Sequence, residues 1–203
     1  MKKADVALAL NDIGAVKFGD FTLKSGMKSP IYIDLRLLVS HPALLKAVAK
    51  MYASKLKKIQ FDRIAGVPYG ALSIATVASV QLDKPMIYAR KEVKEHGTMR
   101  QIEGEFKSGE KVVIVEDLIT SGTSIIESAD VFRASGLQVT DAVVLLDREQ
   151  GGKRNLKEKG IEAHPIMKIT GLLKTLKEAG KINEQQFSDT VAFIKAAKAQ
   201  AKT

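Results

Sequence analysis

The sequence predicts an α/β protein in which helices cover both faces of a parallel β-sheet. From residue 62 onward, short apolar segments alternate with segments whose apolar residues recur at helical spacing, as in βαβ units. Residues 112–115 are four apolar residues in succession, which favours a central strand buried on both sides. Ligands bind beyond the carboxyl ends of the strands in such sheets, so we expect the functional residues at that edge.

Local periodicity and turn residues predict the individual elements. Residues 42–59 repeat apolar side chains near helical spacing, and Pro42 suits a first helical turn, whereas Gly26 and Pro30 punctuate an extended segment. In chain order, the prediction is a helix at 2–15, an extended segment at 21–34, a helix at 42–59, a strand at 62–67, a helix at 71–82, strands at 85–89 and 111–115, a helix at 123–136, a strand at 138–147, a helix ending at 155–160, a strand at 162–169 and one or two amphipathic helices from residue 172.

The composition narrows the class of protein. The chain has 203 residues, of which 45% are hydrophobic, and a net charge of +9. This charge could serve nucleic-acid binding, but the lysines are dispersed and no RNP motif or zinc-ligand spacing occurs, so we favour a basic surface that attracts a small polyanionic substrate. The lack of cysteine excludes disulfides and thiolate sites, and no apolar run approaches the roughly 18 residues of a membrane span. We therefore expect a cytoplasmic protein with no nucleic-acid or membrane partner.

Residues 112–124, VVIVEDLITSGTS, combine two acids with a run of small hydroxyl residues. Backbone N–H groups of residues 120–123 can converge on an anion at a helix N-terminus, although neither G-x-x-x-x-G-K-[ST] nor G-x-G-x-x-G occurs in the chain. Glu116 and Asp117 would repel a bare phosphate, so they indicate a ligand that also carries hydroxyls or a divalent cation, and a sugar phosphate fits. The alternative is that the small residues only cap the helix while the acids are solvated.

The order of apolar strand, Glu-Asp pair and T-S-G-T loop resembles the phosphoribosyl pyrophosphate (PRPP) signature of type I phosphoribosyltransferases. Residues 18–36, 66–76, 90–104 and 145–152 resemble, in order and spacing, the corresponding segments of the orotate phosphoribosyltransferase family. The resemblance implies a Rossmann-like parallel sheet flanked by helices, with a small N-terminal hood subdomain. It also implies one phosphoribosyltransferase domain over residues 1–203, in which about 1–60 form the hood, about 61–170 the PRPP-binding core and about 171–203 the C-terminal helices.

Three segments fit that resemblance on their own chemistry. Residues 90–104 are basic and interrupted by glycines, which suits a pyrophosphate leaving group whose charge grows as its bond breaks; an exposed charged loop is the alternative. Residues 66–70, GVPYG, allow the backbone to approach a ligand closely, and the resemblance implies that this loop binds the pyrophosphate through backbone groups; an ordinary turn is the alternative. Arg148 offers a bidentate fork to a carboxylate or imide edge, or it pairs with Glu149 at the surface.

The implied activity is that of a glycosyltransferase (pentosyltransferase): PRPP and orotate give orotidine 5′-monophosphate and pyrophosphate in de novo pyrimidine (UMP) biosynthesis. The resemblance implies Mg²⁺ bound mainly through PRPP, and a cytoplasmic homodimer whose loop 90–104 closes over the active site of the neighbouring subunit. A phosphoribosyltransferase for another base, such as a purine, and a PRPP-sensing regulator that binds nucleic acid are the alternatives.

The resemblance also implies roles for individual residues. Catalytic roles are implied for Lys94, His96, Glu116 and Asp117. PRPP contacts are implied for Arg90, Lys91, Lys94, His96, Glu116, Asp117, Leu118, Ile119, Thr120, Ser121, Gly122, Thr123 and Ser124. Orotate contacts are implied for Lys24, Tyr32, Thr120 and Arg148. The family has an aromatic pair over the base, of which only Tyr32 is present because Ile33 takes the other position. No side-chain contact is predicted at Gly70 or Ser73, where relatives differ, and no residue is predicted to bind a metal directly.

Overall fold

The computed structural model describes residues 1–22, 26–90 and 101–200. The helices are α1 (Lys3–Asp12), α2 (Pro42–Leu56), α3 (Leu72–Leu82), α4 (Thr123–Ala134), α5 (Gly152–Glu158), α6 (Ile169–Glu178) and α7 (Glu184–Gln200), and a 3-10 helix spans Leu35–Ser40. The strands are β1 (Val16–Thr22), β2 (Lys28–Ile33), β3 (Arg63–Gly66), β4 (Met86–Ala89), β5 (Ile102–Glu103), β6 (Lys111–Ile119), β7 (Gln138–Asp147) and β8 (Glu162–Lys168).

A six-stranded sheet forms the centre of the molecule, with the strand order β5-β4-β3-β6-β7-β8. Neighbouring strands are parallel except for β5, which pairs antiparallel with β4. A separate antiparallel hairpin joins β1 to β2. The prediction of an α/β fold with a mostly parallel sheet flanked by helices is therefore confirmed.

Strand β6 is longer than the sequence predicts. It continues through the acid pair to Ile119, because β7 beside it extends to Asp147 and the two strands remain paired to their ends. Glu116 therefore lies opposite Val144 within the sheet. The prediction that the strand ends at residue 115 was wrong, since acidic residues are poor strand formers by propensity but pairing with a neighbouring strand overrides that preference.

The ends of the chain also differ in detail from the prediction. The extended N-terminal segment is a hairpin of two strands, β1 and β2, in which Val16 lies opposite Ile33. The tail forms two helices, and the first begins at Ile169 because β8 passes directly into α6. Strand β5 has only two residues, which is too short for a periodic signal.

Apolar side chains form one cluster on each face of the sheet. The larger cluster joins α1, α2, the hairpin, α6 and α7 to one face, with Tyr52 and Ile194 among its members. The smaller cluster packs α4 and α5 against the other face, around Phe132 and Leu156. The first sixty residues and the C-terminal helices thus share a core with the sheet. Across the described ranges, the helices are too short or too polar to cross a bilayer.

Candidate active site

The two acids of β6 are held in place by their own backbone. Glu116 is only 7% exposed, and its Oε1 accepts the Asp117 N–H at 2.9 Å. Asp117 Oδ1 accepts the Leu118 N–H at 2.7 Å. The Tyr52 hydroxyl, from α2, donates to the backbone carbonyl of Glu116 at 2.6 Å. The alternative in which both acids are solvated is therefore wrong: this is a fixed pair of carboxylates at the edge of the core.

Burial is the largest influence on the pKa of Asp117. Desolvation raises the pKa of Asp117 above its ordinary value, while its hydrogen bonding with the Glu116 side chain, the hydrogen bond from the Leu118 N–H and the charge of Arg36 oppose the rise. Burial, followed by the charges of Asp117 and Glu116, raises the pKa of the Tyr52 hydroxyl. A carboxylate with little water around it gains most from hydroxyl donors that approach it directly.

Residues 120–123 form the turn between β6 and α4. The N-cap of α4 is Gly122, with φ of +85°, and it provides no side-chain cap. Ser121 Oγ and Thr123 Oγ1 lie 2.9 Å apart. Ser121 Oγ also accepts the Thr123 N–H at 3.4 Å, so this side chain contributes to the start of the helix. The turn also presents backbone N–H groups and hydroxyls of the kind that bind phosphate.

Helix α5 packs against this turn. A Cβ on Gly152 would lie 2.5 Å from both Ile119 Cγ1 and the carbonyl oxygen of Thr120. Asn155 Nδ2 donates to the Ser121 carbonyl at 3.0 Å, and a Cβ on Gly122 would lie 3.1 Å from Leu156 Cγ. The shape of the turn thus depends on α5, which the sequence analysis did not connect to the site, although the Gly151-Gly152 pair was a visible signal.

Arg148 follows β7 and lies beside the acid-bearing strand. Its backbone N–H donates to the Ile119 carbonyl at 3.0 Å, and the residue is only 8% exposed. Nε and Nη2 have no hydrogen-bond partner among the described residues, and burial lowers the pKa of the guanidinium. Glu149 turns elsewhere and accepts the Thr170 N–H at 3.0 Å, so the predicted alternative of a surface Arg148–Glu149 pair is wrong. A buried cation without a partner calls for an anionic ligand.

The hairpin contributes an aromatic surface formed by Tyr32, which the sequence predicts, and by Phe21. Burial alternates along β2: Ile31 and Ile33 are buried, and Tyr32 lies between them on the opposite face. The ring of Tyr32 packs against Phe21 of β1, with 5.5 Å between ring centroids. Phe21 was overlooked because register across the hairpin is not visible in sequence, although it lies in the segment 18–36.

Loop 66–70 reaches the acid pair from β3. The Val67 N–H donates to the Val115 carbonyl at 3.0 Å, which extends the sheet contact into the loop. A Cβ on Gly70 would lie 2.2 Å from Asp117 Oδ2 and 3.6 Å from Arg36 Cγ. Loop, acid pair and Arg36 therefore meet at one point beyond the carboxyl ends of the strands.

Comparison with known proteins identifies the family of this arrangement. The family model described as "Phosphoribosyl transferase domain" matches residues 37–164. An orotate phosphoribosyltransferase from Pyrobaculum islandicum is 44% identical over 184 residues, which cover 90% of this chain and 94% of the relative. The chain belongs to the orotate phosphoribosyltransferase family.

Two further relatives are longer proteins. The bifunctional enzyme PyrF/PyrE of Nostoc sp. is 45% identical over 183 residues, covering 90% of this chain and 38% of that enzyme. The structure of Leishmania donovani UMP synthase superimposes with a TM-score of 0.89 and 42% identity, covering 97% of this chain and 43% of that one. The chain thus spans about two fifths of the length of these two longer relatives.

Several residues with roles implied by the orotate phosphoribosyltransferase family lie outside the described residues: Lys24, Lys91, Lys94 and His96. Arg90, at the end of β4, is described. Its backbone N–H donates to the Gln101 carbonyl at 2.8 Å, and its guanidinium forms an ion pair with Glu103 of β5. Ile119 is buried and faces the core, so it can offer a ligand only its backbone.

Proposed function

We propose that this chain catalyses phosphoribosyl transfer from PRPP to orotate, which yields orotidine 5′-monophosphate and pyrophosphate. The observation that carries the proposal is Arg148: its buried guanidinium has two nitrogen atoms without a partner among the described residues, and its backbone is bonded to the strand that bears the acid pair. A carboxylated base bound to Arg148 would lie next to a sugar bound to those acids.

The sugar phosphate is expected to lie along the end of β6. Glu116 and Asp117 accept hydrogen bonds from the ribose hydroxyls, because their carboxylates are fixed and poorly solvated. Residues 120–124 receive the 5-phosphate at the start of α4, supported from behind by Gly152 and Asn155. Holding both ends of the sugar leaves C1 free to face the base, which is the positioning that this reaction requires.

Orotate is a flat anion, so its expected contacts are one cation, hydrogen-bond donors and an apolar wall. Arg148 provides a fork for the carboxylate or imide edge, and Thr120 is expected to touch both ligands. The Tyr32 ring, backed by Phe21, provides an aromatic surface, and Lys24, which lies outside the described residues, is a further expected contact. Because orotate already carries negative charge, the nitrogen that attacks C1 requires no strong protein base.

The leaving pyrophosphate requires positive charge as oxocarbenium character develops at C1. We assign this role to Arg90, Lys91, Lys94 and His96, contributed to the active site by the neighbouring subunit of a cytoplasmic homodimer. Closure of that segment over the site would exclude water and limit PRPP hydrolysis. The ion pair of Arg90 with Glu103 would have to open or be shared when PRPP binds.

We further propose that Mg²⁺ enters the site with PRPP. Among residues 1–22, 26–90 and 101–200, no group of three His, Asp or Glu side chains is arranged to hold a metal ion, and the acid pair offers only two carboxylates. This donor set fits a cation bound mainly by phosphate and ribose oxygens. When bound, Mg²⁺ would neutralise charge on the pyrophosphate.

The loss of orotate absorbance in a mixture of protein, PRPP, Mg²⁺ and orotate tests the proposal. We expect consumption of orotate with release of one pyrophosphate per nucleotide formed. Consumption of a purine in place of orotate, in a panel of bases, would assign a different acceptor. Salt-dependent binding of DNA or RNA without turnover of any base would favour a PRPP-sensing regulator.

A further inference from the structure

We propose that Arg36 is a further substrate-binding residue, which supplies the positive charge for the pyrophosphate of PRPP at loop 66–70 from within the same subunit. This inference rests on the proposed function. It concerns a residue outside the acid pair, the phosphate turn and the basic segment 90–104.

Asp34 fixes the guanidinium of Arg36 in one orientation. Asp34 Oδ1 accepts from Arg36 Nε at 2.7 Å, and Oδ2 accepts from Nη2 at 2.8 Å. The same carboxylate accepts the Arg36 backbone N–H at 3.2 Å as N-cap of the 3-10 helix. The fork uses Nε and Nη2, so Nη1 is left outside it.

This fork contributes more to placement than to stability. The Arg36 side chain is 63% exposed, and exposed ion pairs typically contribute little to the free energy of unfolding. A planar guanidinium held at two nitrogens, however, loses little further freedom when it binds an anion. Nη2 also lies 3.4 Å from the Tyr32 hydroxyl, which places this cation beside the aromatic surface of the hairpin.

The position of Arg36 matches the place where a cation is needed. Its Cγ lies 3.6 Å from the point where a Cβ on Gly70 would be, and Asp117 Oδ2 lies 2.2 Å from that same point. Residues 66–73, GVPYGALS, contain no basic side chain. A pyrophosphate bound to this loop would therefore lie close to the negative acid pair, and a nearby positive charge offsets that repulsion.

The charges around Arg36 leave it available to such a ligand. Among the described residues, Asp34 binds it directly, and Tyr32 and then Asp117 act on it through space. Lys17 of β1 contributes its charge to Asp34. Arg36 in turn is one of the groups that hold down the pKa of Asp117, so it also favours the ionised acid that the ribose hydroxyls require.

The test compares pyrophosphate affinity with orotate affinity in Arg36→Gln and Arg36→Lys variants of the full chain. The dissociation constant of pyrophosphate, measured calorimetrically with Mg²⁺ present, and the KM of PRPP should both rise about 10- to 100-fold in Arg36→Gln, as expected for a lost charge-assisted hydrogen bond. Arg36→Lys should recover part of this loss, because it restores the charge without the fork. The KM of orotate should change less than about twofold, which is a smaller change than the loss of one hydrogen bond would cause.

Two controls make the result specific. Asp34→Asn keeps the cation and weakens its fork, so it should give a smaller rise in the pyrophosphate constant. Arg63→Gln removes another arginine that is paired with a carboxylate. Arg63 lies at the start of β3, at the end away from loop 66–70, and it donates to Glu110. This variant should leave both constants unchanged in the folded protein.

An unchanged pyrophosphate constant in folded Arg36→Gln, or a rise confined to the KM of orotate, would overturn the inference. If Arg36→Gln does not fold, Arg36→Lys and Asp34→Asn decide by the same two constants. A wild-type protein that consumes no orotate would instead refute the proposed function, so the two failures can be told apart.

Discussion

Asp117 Oδ2 lies 2.2 Å from the position that a Cβ of Gly70 would occupy. Glycine at residue 70 therefore makes room for the carboxylate in its present orientation, which the hydrogen bond from the Leu118 N–H to Oδ1 also holds. The loop from β3 and the acid of β6 are thus mutually dependent.

Substitution of Gly70 by alanine should displace the Asp117 carboxylate without unfolding the protein. The nearest obstacle is the end of a side chain, so the melting temperature should change by no more than about 4 °C, while kcat/KM for PRPP falls about tenfold. Gly171→Ala is the matched control, because no described atom outside its chain neighbours and its own helix backbone lies within 4 Å of the added Cβ, and alanine favours a helix by about 1 kcal/mol relative to glycine. Equal activity of both variants would contradict the coupling.

Asp117→Asn should nearly abolish turnover while it stabilises the fold at neutral pH. The loss should be about 100-fold or more if the carboxylate holds the ribose in the transition state, and unchanged kcat/KM would contradict that role. Burial raises the pKa of Asp117 above 3.8, so the folded wild type binds its proton more tightly than the unfolded chain and loses stability as pH rises from that value through the raised pKa. Asparagine cannot ionise, so the melting temperature of the variant relative to wild type should increase across this window.

Arg148→Met should separate ligand binding from stability. The KM of orotate should rise about 100-fold if the guanidinium binds the substrate anion. The free energy of unfolding should stay within about 1 kcal/mol of wild type or increase, because the substitution removes a desolvated cation whose Nε and Nη2 have no partner in the described part of the chain. Arg133→Met is the contrasting variant. Arg133 donates to the carbonyls of Val139 at 2.6 Å and Lys159 at 3.1 Å, so its loss should cost about 1–3 kcal/mol and leave the KM of orotate unchanged.

Gly152→Ala tests whether α5 shapes the phosphate turn. The added methyl group would lie 2.5 Å from Ile119 Cγ1 and from the Thr120 carbonyl, which should cost about 1–3 kcal/mol of stability and raise the KM of PRPP more than that of orotate. Urea unfolding together with both KM values would measure the two effects. A variant that is destabilised but has wild-type KM values would show that the turn does not depend on α5.

Acid should lower the free energy of unfolding through Glu110, which precedes β6 at the amino ends of the parallel strands. Hydrogen bonds from Arg63, followed by one from the Lys107 N–H, lower the pKa of Glu110 from 4.5 to about 2. A lowered folded pKa means that the stabilisation is complete above the ordinary value and is lost as pH falls from about 4.5 to about 2. Urea unfolding of Glu110→Gln at several pH values should therefore show a flatter acid dependence than wild type, and parallel curves would argue against this contribution.

The sequence predicted the sheet, its helices and the acid pair because these depend on local signals. Runs such as residues 112–115 and the small residues around Gly122 are visible without any tertiary information. Phe21, Arg36 and α5 were not connected to the site, because strand register, the rotamer of a long side chain and helix–loop packing depend on residues distant in the chain. The extension of β6 through Glu116 was missed for the same reason, since pairing with β7 decides it.

Arg148 illustrates the remaining limit. An arginine directly after an apolar strand indicates a contact with an anionic ligand. The sequence was equally consistent with a surface ion pair between Arg148 and Glu149. Only burial and the absence of partners for Nε and Nη2 among the described residues distinguish the two alternatives. Desolvation is a property of the whole fold, so no local motif reports it.

The hydrogen bond from the Tyr52 hydroxyl to the carbonyl of Glu116 spans 64 positions of sequence and ties the first sixty residues to the central sheet. Cutting the polypeptide near residue 60 would leave the Tyr52 hydroxyl without its acceptor on one fragment. It would also expose the apolar face of the sheet on the other fragment. Split-protein reporters or circular permutants of this enzyme family should therefore be opened at exposed turns such as the one around Gly180, and not between the hood and the sheet.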